Sequence, residues 1–131
     1  MYSTTNYTSR PKCGEIWMCR LPGNENSVQG GYRPVFILSN NKNNTYSPTL
    51  NVIPLTTKMN KRQLPIHVEL KDYTMYGLRA PSTLLVEQIT TISIEFLDRR
   101  IGTISDRITL RSIWKAISIQ FPIMEMVMAM A

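Results

Sequence analysis

The chain has 131 residues, one domain's worth. Lys and Arg number 15 against 9 Asp and Glu, giving a formal charge of +6, and 43% hydrophobic content excludes a wholly disordered chain. Two cysteines and one histidine are too few for a four-ligand structural zinc site built from Cys and His.

The start, Met1 to Asn6, has neither the charged nor the apolar stretch of a signal peptide. No apolar run reaches the ~18 residues that would span a bilayer. A soluble, cytoplasmic protein is expected, and its positive charge without an anchor points toward nucleic acid. Residues 1–12 are polar and expected to be flexible. Residues 13–121 form the predicted folded domain, and residues 122–131 a Met-rich tail that either packs in an interface or stays loose.

Apolar patterning predicts a first strand over Glu15 to Arg20. Cys13 and Cys19 would share one face of such a strand and read as two small packing residues. Leu21 to Gly31 carries Pro22, Gly23 and the pair Gly30-Gly31, so it is a long loop of the kind that often holds function. Pro34 to Ser39 is a continuous apolar run, a buried strand. Asn40 to Asn44 reads as a turn, Thr49 to Leu55 as a strand, and Thr57 to Gln63 as a polar turn. From Leu64 to Leu70 the alternation is strict, with Leu64, Ile66, Val68 and Leu70 on one face and His67 and Glu69 on the other. Ser82 to Ile89 and Ile101 to Ile104 complete the strands, with Thr90 to Ile94 bending onward.

One helix follows. Ser105 is its expected N-cap and Asp106 lies in its first turn. Leu110, Ile113, Ile117 and Phe121 recur at helical spacing, and Pro122 stops the run. Arg107, Arg111 and Lys115 line a solvated side. Closely spaced strands without intervening helices argue for an antiparallel barrel rather than parallel units.

Four segments in register carry a resemblance. They are Gly14-Glu15-Ile16-Trp17, then Gln29-Gly30-Gly31-Tyr32-Arg33-Pro34-Val35. Ser47-Pro48-Thr49 with Pro54-Leu55-Thr56 and Leu64-Pro65-Ile66-His67-Val68 follows, and Leu84 to Ile92 closes the set. Together they resemble the MazF/PemK (Kid) toxins, the mRNA interferases of toxin–antitoxin systems. The resemblance covers about residues 14–120. It implies a mostly β fold with a C-terminal helix, an SH3-like antiparallel β-barrel of the CcdB/MazF type. It also implies a homodimer, cleavage of single-stranded RNA at a short motif, and a MazE-like cognate antitoxin whose C-terminal segment blocks the RNA groove.

RNA can be cut by its own 2′-hydroxyl attacking the adjacent phosphate, which leaves the protein to move protons and to stabilise charge on the phosphorane. Arg33, between a glycine pair and Pro34, suits the second task, because its planar fork donates in pairs and keeps its charge. The resemblance pairs it with Thr56, whose hydroxyl donates to phosphate but is a poor acid or base at neutral pH. Thr57 would point to the opposite face if the strand continued.

His67 is the only histidine, so a two-histidine acid/base pair is excluded. It is a candidate for RNA contact, as are Ser27, Gln29 and Gly31 of the long loop, Lys58 and Lys61 beside Thr56, and Gln88. Tyr32 and Tyr46 are candidates for base stacking or for packing. Glu15, Glu25, Glu69 and Glu87 are scattered in sequence and suggest no magnesium cluster, so no metal or cofactor is expected. Products would then be a 2′,3′-cyclic phosphate and a 5′-hydroxyl.

Two positions depart from the family pattern. Val28 stands where many members have glutamate, with Glu25 the nearest carboxylate to replace it, and Pro81 stands where Asp often precedes the strand serine. The competing readings are a non-catalytic, CcdB-like gyrase poison and an RNA-binding module on the same fold. Trp114 lies inside the helix, with no Trp-bearing terminal motif after it, which weighs against the poison.

Overall fold

The computed structural model describes residues 10–23, 30–58 and 64–130. Its strands are β1 (Glu15–Leu21), β2 (Gly31–Ile37), β3 (Thr49–Thr56), β4 (His67–Leu70), β5 (Ser82–Leu85), β6 (Thr90–Ser93) and β7 (Leu97–Thr103). Its helices are α1 (Asn41–Tyr46), α2 (Arg107–Gln120) and α3 (Ile123–Ala129).

All the strand pairs are antiparallel, in the order β4-β5-β3-β2-β1-β7, with β6 also on β3. One edge of β3 carries β2. The other carries β6 along Thr49–Val52 and β5 at Leu55 and Thr56. A strand that serves two partners on one edge must turn between them, so the sheet curls into a barrel-like shell without closing.

Strand alternation sends side chains to two cores. Phe36, Ile53, Leu55, Val68, Leu70 and Leu84 pack with Ile113 and Ala116 of α2. Val35, Ile37, Leu50 and Val52 face the other way and meet Trp17, Cys19, Ile92 and Ile94. Burying apolar area on both faces is how a shell this thin stays folded, at roughly 25 cal/mol per Å².

The structure corrects several expectations. Asn40 to Asn44 is not a turn: Asn40 accepts from the Asn43 amide at 2.8 Å and caps the short helix α1. The Leu64–Leu70 alternation becomes strand only at His67, after a turn through Pro65 and Ile66. The Ser82–Ile89 run breaks at Leu85 into a 3-10 turn over Val86–Gln88. β7 begins at Leu97, earlier than expected.

Asp106, not Ser105, is the N-cap of α2, accepting from the Thr109 amide at 3.1 Å. The inner face of α2 is Ile113, Ala116 and Ile117, while Leu110 and Phe121 are 39% and 46% exposed. A second helix, α3, follows Pro122, and all its side chains are exposed. Cys13 precedes β1 in an exposed turn, whereas Cys19 is buried in the second core. Among the described residues, no helix is long and apolar enough to cross a membrane.

Candidate active site

Arg33 and Thr56 come from adjacent strands. Val35 pairs with Pro54, Phe36 with Ile53 and Ile37 with Val52. Extending that register by two residues sets Arg33 opposite Thr56, on the same face. The strand physics therefore joins two residues that the sequence separates.

Gly31 opens β2 with φ of +87°, a left-handed conformation that a side chain would disfavour. The chain then delivers Arg33 with its guanidinium turned back on the backbone. Nε donates to the Gly30 carbonyl at 2.8 Å and Nη1 to the Leu55 carbonyl at 3.2 Å. Two of the five guanidinium N–H donors are thus used for positioning, which leaves three for a ligand. Partial burial lowers the Arg33 pKa from the ordinary guanidinium value. The group stays charged at neutral pH, and its partial loss of hydration favours an anion beside it.

Thr56 is 7% exposed, and its Oγ1 accepts from the Lys58 amide at 3.2 Å. With its lone pair so engaged, the hydroxyl hydrogen is left to donate. Arg33 and Thr56 line one recess of about 200 Å³, with Tyr32, Pro34, Leu55, Thr57 and Ser82. Thr57 is no longer strand and lines the recess as well, so its expected place on the opposite face is corrected. Geometrically, this is a small polar hollow with a fixed cation on one wall and a hydroxyl on another.

Residues 12–121 match the family of PemK-like, MazF-like toxins of type II toxin-antitoxin systems. The chain belongs to that family. It is 37% identical over 94 residues to Endoribonuclease MazF of Staphylococcus saprophyticus, across 72% of this chain and 78% of that protein. The Mycobacterium tuberculosis toxin MazF-mt6 superposes with a TM-score of 0.68 at 25% identity, over 82% of this chain and 96% of the other. MazF of Deinococcus radiodurans shares the fold, with a TM-score of 0.70 at 16% identity over 86% of this chain and 97% of the other.

Within this MazF-like frame, the remaining sequence candidates separate. Gly31 borders a second hollow with Arg20, Leu21, Tyr32 and Asp98. Lys58 is joined to the recess through its backbone contact with Thr56. His67 Nε2 lies 3.0 Å from Glu87 Oε2, and neither His67 nor Gln88 lines these hollows. Ser27, Gln29 and Lys61, together with Glu25 and Val28, lie outside the described residues.

Sequence reasoning missed part of the surroundings. A groove of about 520 Å³ shares Tyr32, Pro34, Thr57 and Ser82 with the recess and is walled by Arg79, Arg99 and Arg100. Arg79 and Arg99 are exposed, and no motif announced them, because tertiary approach brings them together. Tyr32 borders all three hollows and is 51% exposed. Its hydroxyl donates to Asp98 and the Arg20 guanidinium lies 5.8 Å from its ring centre, so the ring is held at its hydroxyl and over one face. The bond to Asp98 raises the Tyr32 pKa and keeps the phenol neutral.

Proposed function

We propose that this chain is a toxin endoribonuclease that cuts single-stranded RNA at a short motif without a metal ion, through attack of the RNA's own 2′-hydroxyl. The observation that carries the reading is Arg33, tethered by the Gly30 and Leu55 carbonyls beside Thr56. In the reaction the 2′ oxygen bonds to the adjacent phosphorus as its proton leaves. The bond from phosphorus to the 5′ oxygen breaks, and that oxygen takes up a proton. The products are a 2′,3′-cyclic phosphate and a 5′-hydroxyl.

Charge on the non-bridging oxygens peaks in the pentavalent state. A preorganised donor aimed there acts more on the transition state than on the substrate. Arg33 supplies such donors, and the Thr56 hydroxyl adds a neutral one. The groove walled by Arg79 and Arg99 extends this positive surface from the recess and fits the path of a phosphate chain. Tyr32, with an exposed ring, offers a stacking face along the path.

The reading takes residues 13–121 as the toxin domain and residues 122–131 as an appendage to it. It includes homodimerisation and neutralisation by a cognate antitoxin that covers the RNA-binding surface. His67, Gln88 and the loop residues Ser27 and Gln29 remain in it as contacts to RNA beyond the cut. Cleavage of a long single-stranded RNA in excess EDTA tests it, with duplex RNA and single-stranded DNA as controls. Discrete cuts in the single-stranded RNA alone are expected, whereas a folded protein that cuts nothing overturns it.

A further inference from the structure

Arg20, Tyr32 and Asp98 form a cluster that the cleavage chemistry does not use. In the strand order β2-β1-β7, Tyr32 on β2 lies directly opposite Arg20 on β1. Tyr32 reaches across β1, because its hydroxyl donates to a carboxylate oxygen of Asp98 on β7. An irregularity in β7 makes the meeting possible. Met18 pairs with Arg99 and Cys19 with Leu97, so Asp98 is left over between them. An extra residue of this kind re-aims its side chain. The three side chains, with Leu21 and Gly31, line a hollow of about 470 Å³. The hollow is open at Gly31, where a Cβ would meet nothing within 4 Å.

The charge of Asp98 points to the ligand. The neighbouring groove and recess are walled by arginine, and Asp98 is the only carboxylate that lines any of the three hollows. A carboxylate repels a phosphate chain, so on an RNA path it must face a part of the strand that donates hydrogen bonds. Base edges and ribose hydroxyls are the parts that donate. Guanine alone among the four bases sets two donors side by side on its Watson–Crick edge, N1–H and the N2 amino group, and they match the two oxygens of a carboxylate. Adenine and cytosine place a ring-nitrogen acceptor beside their amino group, and uracil has one N–H between two carbonyls. A carboxylate has about four acceptor sites, so the bond from Tyr32 leaves both Asp98 oxygens able to accept. Arg20, 5.8 Å from the centre of the Tyr32 ring, adds to the same hollow a planar cation on which a base can stack. Among the described residues, no other His, Cys, Asp or Glu joins Asp98 in a group that could hold a metal.

We propose that Asp98, held in place by Tyr32, selects a guanine base of the RNA near the cut. The N1–H and amino group donate to the two carboxylate oxygens, and the purine ring lies against the Arg20 guanidinium and Leu21. Tyr32 borders both this hollow and the recess of Arg33 and Thr56, so the base is read within reach of the scissile phosphate. The inference takes its substrate class from the cleavage reading and adds which base the strand must carry.

The binding test uses the Arg33→Ala chain, which spares the RNA, and a labelled oligouridylate with one central guanosine. Companion probes carry at that place inosine, which lacks the N2 amino group, or adenosine. Fluorescence anisotropy should rank guanosine above inosine and inosine above adenosine, with adenosine about tenfold weaker than guanosine or more. Adding Asp98→Asn should level the three, because an amide presents one acceptor and one donor group. Tyr32→Phe, which keeps the ring but frees Asp98, should blunt the ranking. In parallel the native chain cuts an RNA of random sequence. The cut ends should show one fixed guanine nearby, and Asp98→Asn should relax it. Cuts without a fixed guanine, equal binding of the three probes to the chain with Asp98 intact, or a guanine preference that survives Asp98→Asn would each overturn the proposal. Guanine-selective binding without any cut would overturn the cleavage reading and leave this subsite standing.

Discussion

Arg33 reaches its recess with one side already bonded to the chain, and that determines how it responds to substitution. Two carbonyls fix the fork, so the free donors need no reordering when charge develops on a phosphate. Arg33→Ala should lower cleavage by ~10²–10³ while leaving the circular dichroism spectrum unchanged. Arg33→Lys should recover little of that loss, because an ammonium cannot keep both carbonyls and still present paired donors. A lysine variant with near-native rate would show that charge alone suffices.

Glu15 illustrates a residue with a purely structural role. It is buried, accepting from the Lys12 amide at 2.7 Å, from Trp17 Nε1 at 3.0 Å and from Arg100 Nη1 at 3.1 Å. The Arg100 side chain is largely in water, so the ion pair contributes little, whereas the bond from the indole N–H is buried. Glu15→Ala should therefore cost about 2–3 kcal/mol in urea unfolding. The two thiols differ as sharply. Burial pushes the Cys19 thiol up to about 12, and Cys13 is exposed. Iodoacetamide at neutral pH should label one cysteine in the folded chain and both after denaturation.

Among the elements, helix α2 depends on its first turn. Asp106 accepts from the Thr109 amide and from the Tyr76 hydroxyl at 2.8 Å, and hydrogen bonding from the Thr109 side chain first, then from Tyr76 and the Thr109 amide, holds its pKa below the usual carboxylate value. A depressed folded pKa contributes stability that is fully present above the unfolded value near 4 and is lost as pH falls from there through the lower folded value. Asp106→Ala should cost about 1 kcal/mol at neutral pH, with the difference from the native chain shrinking in acid. A penalty unchanged by pH would contradict the cap.

A tighter contact fixes the groove. A Cβ on Gly102 would lie 1.9 Å from the Tyr76 carbonyl oxygen, so β7 and the 3-10 turn over Tyr73–Tyr76 meet backbone to backbone. Gly102→Ala should cost about 3 kcal/mol, and because this contact joins two segments that wall the groove, it should also weaken RNA binding before the chain unfolds.

The elements also show what was legible. β1 and α2 formed where the apolar runs placed them, though only Ile113 and Ile117 of the expected helical stripe face inward. The short α1 was hidden because asparagines favour turns, and only the cap at Asn40 reveals the helix. At Leu64 the alternation misled, since Pro65 turns the chain before pairing begins. Arg33 and Thr56 could be named from local chemistry and resemblance, but their meeting depends on the register that Val35 and Pro54 set. Arg79 and Arg99 were silent, because nothing local encodes the approach of Tyr76 to Gly102.

Over the whole molecule, a positive charge of +6 is spent unevenly. Arginines line the groove beside the recess, while Arg107, Arg111 and Lys115 lie exposed on α2. RNA binding should weaken with added salt as phosphate contacts exchange for counterions. Sedimentation at micromolar concentration should give a dimer, and a strict monomer would count against that part of the account.

The central claim is that a tethered arginine beside a threonine cuts RNA by way of the 2′-hydroxyl. The direct measurement is end-group analysis of a long single-stranded RNA incubated in excess EDTA with the native chain and with Arg33→Ala. The account predicts discrete cuts ending in 2′,3′-cyclic phosphate and 5′-hydroxyl, nearly absent with the variant. Cuts leaving 5′-phosphates, or equal cleavage by both proteins, would contradict it.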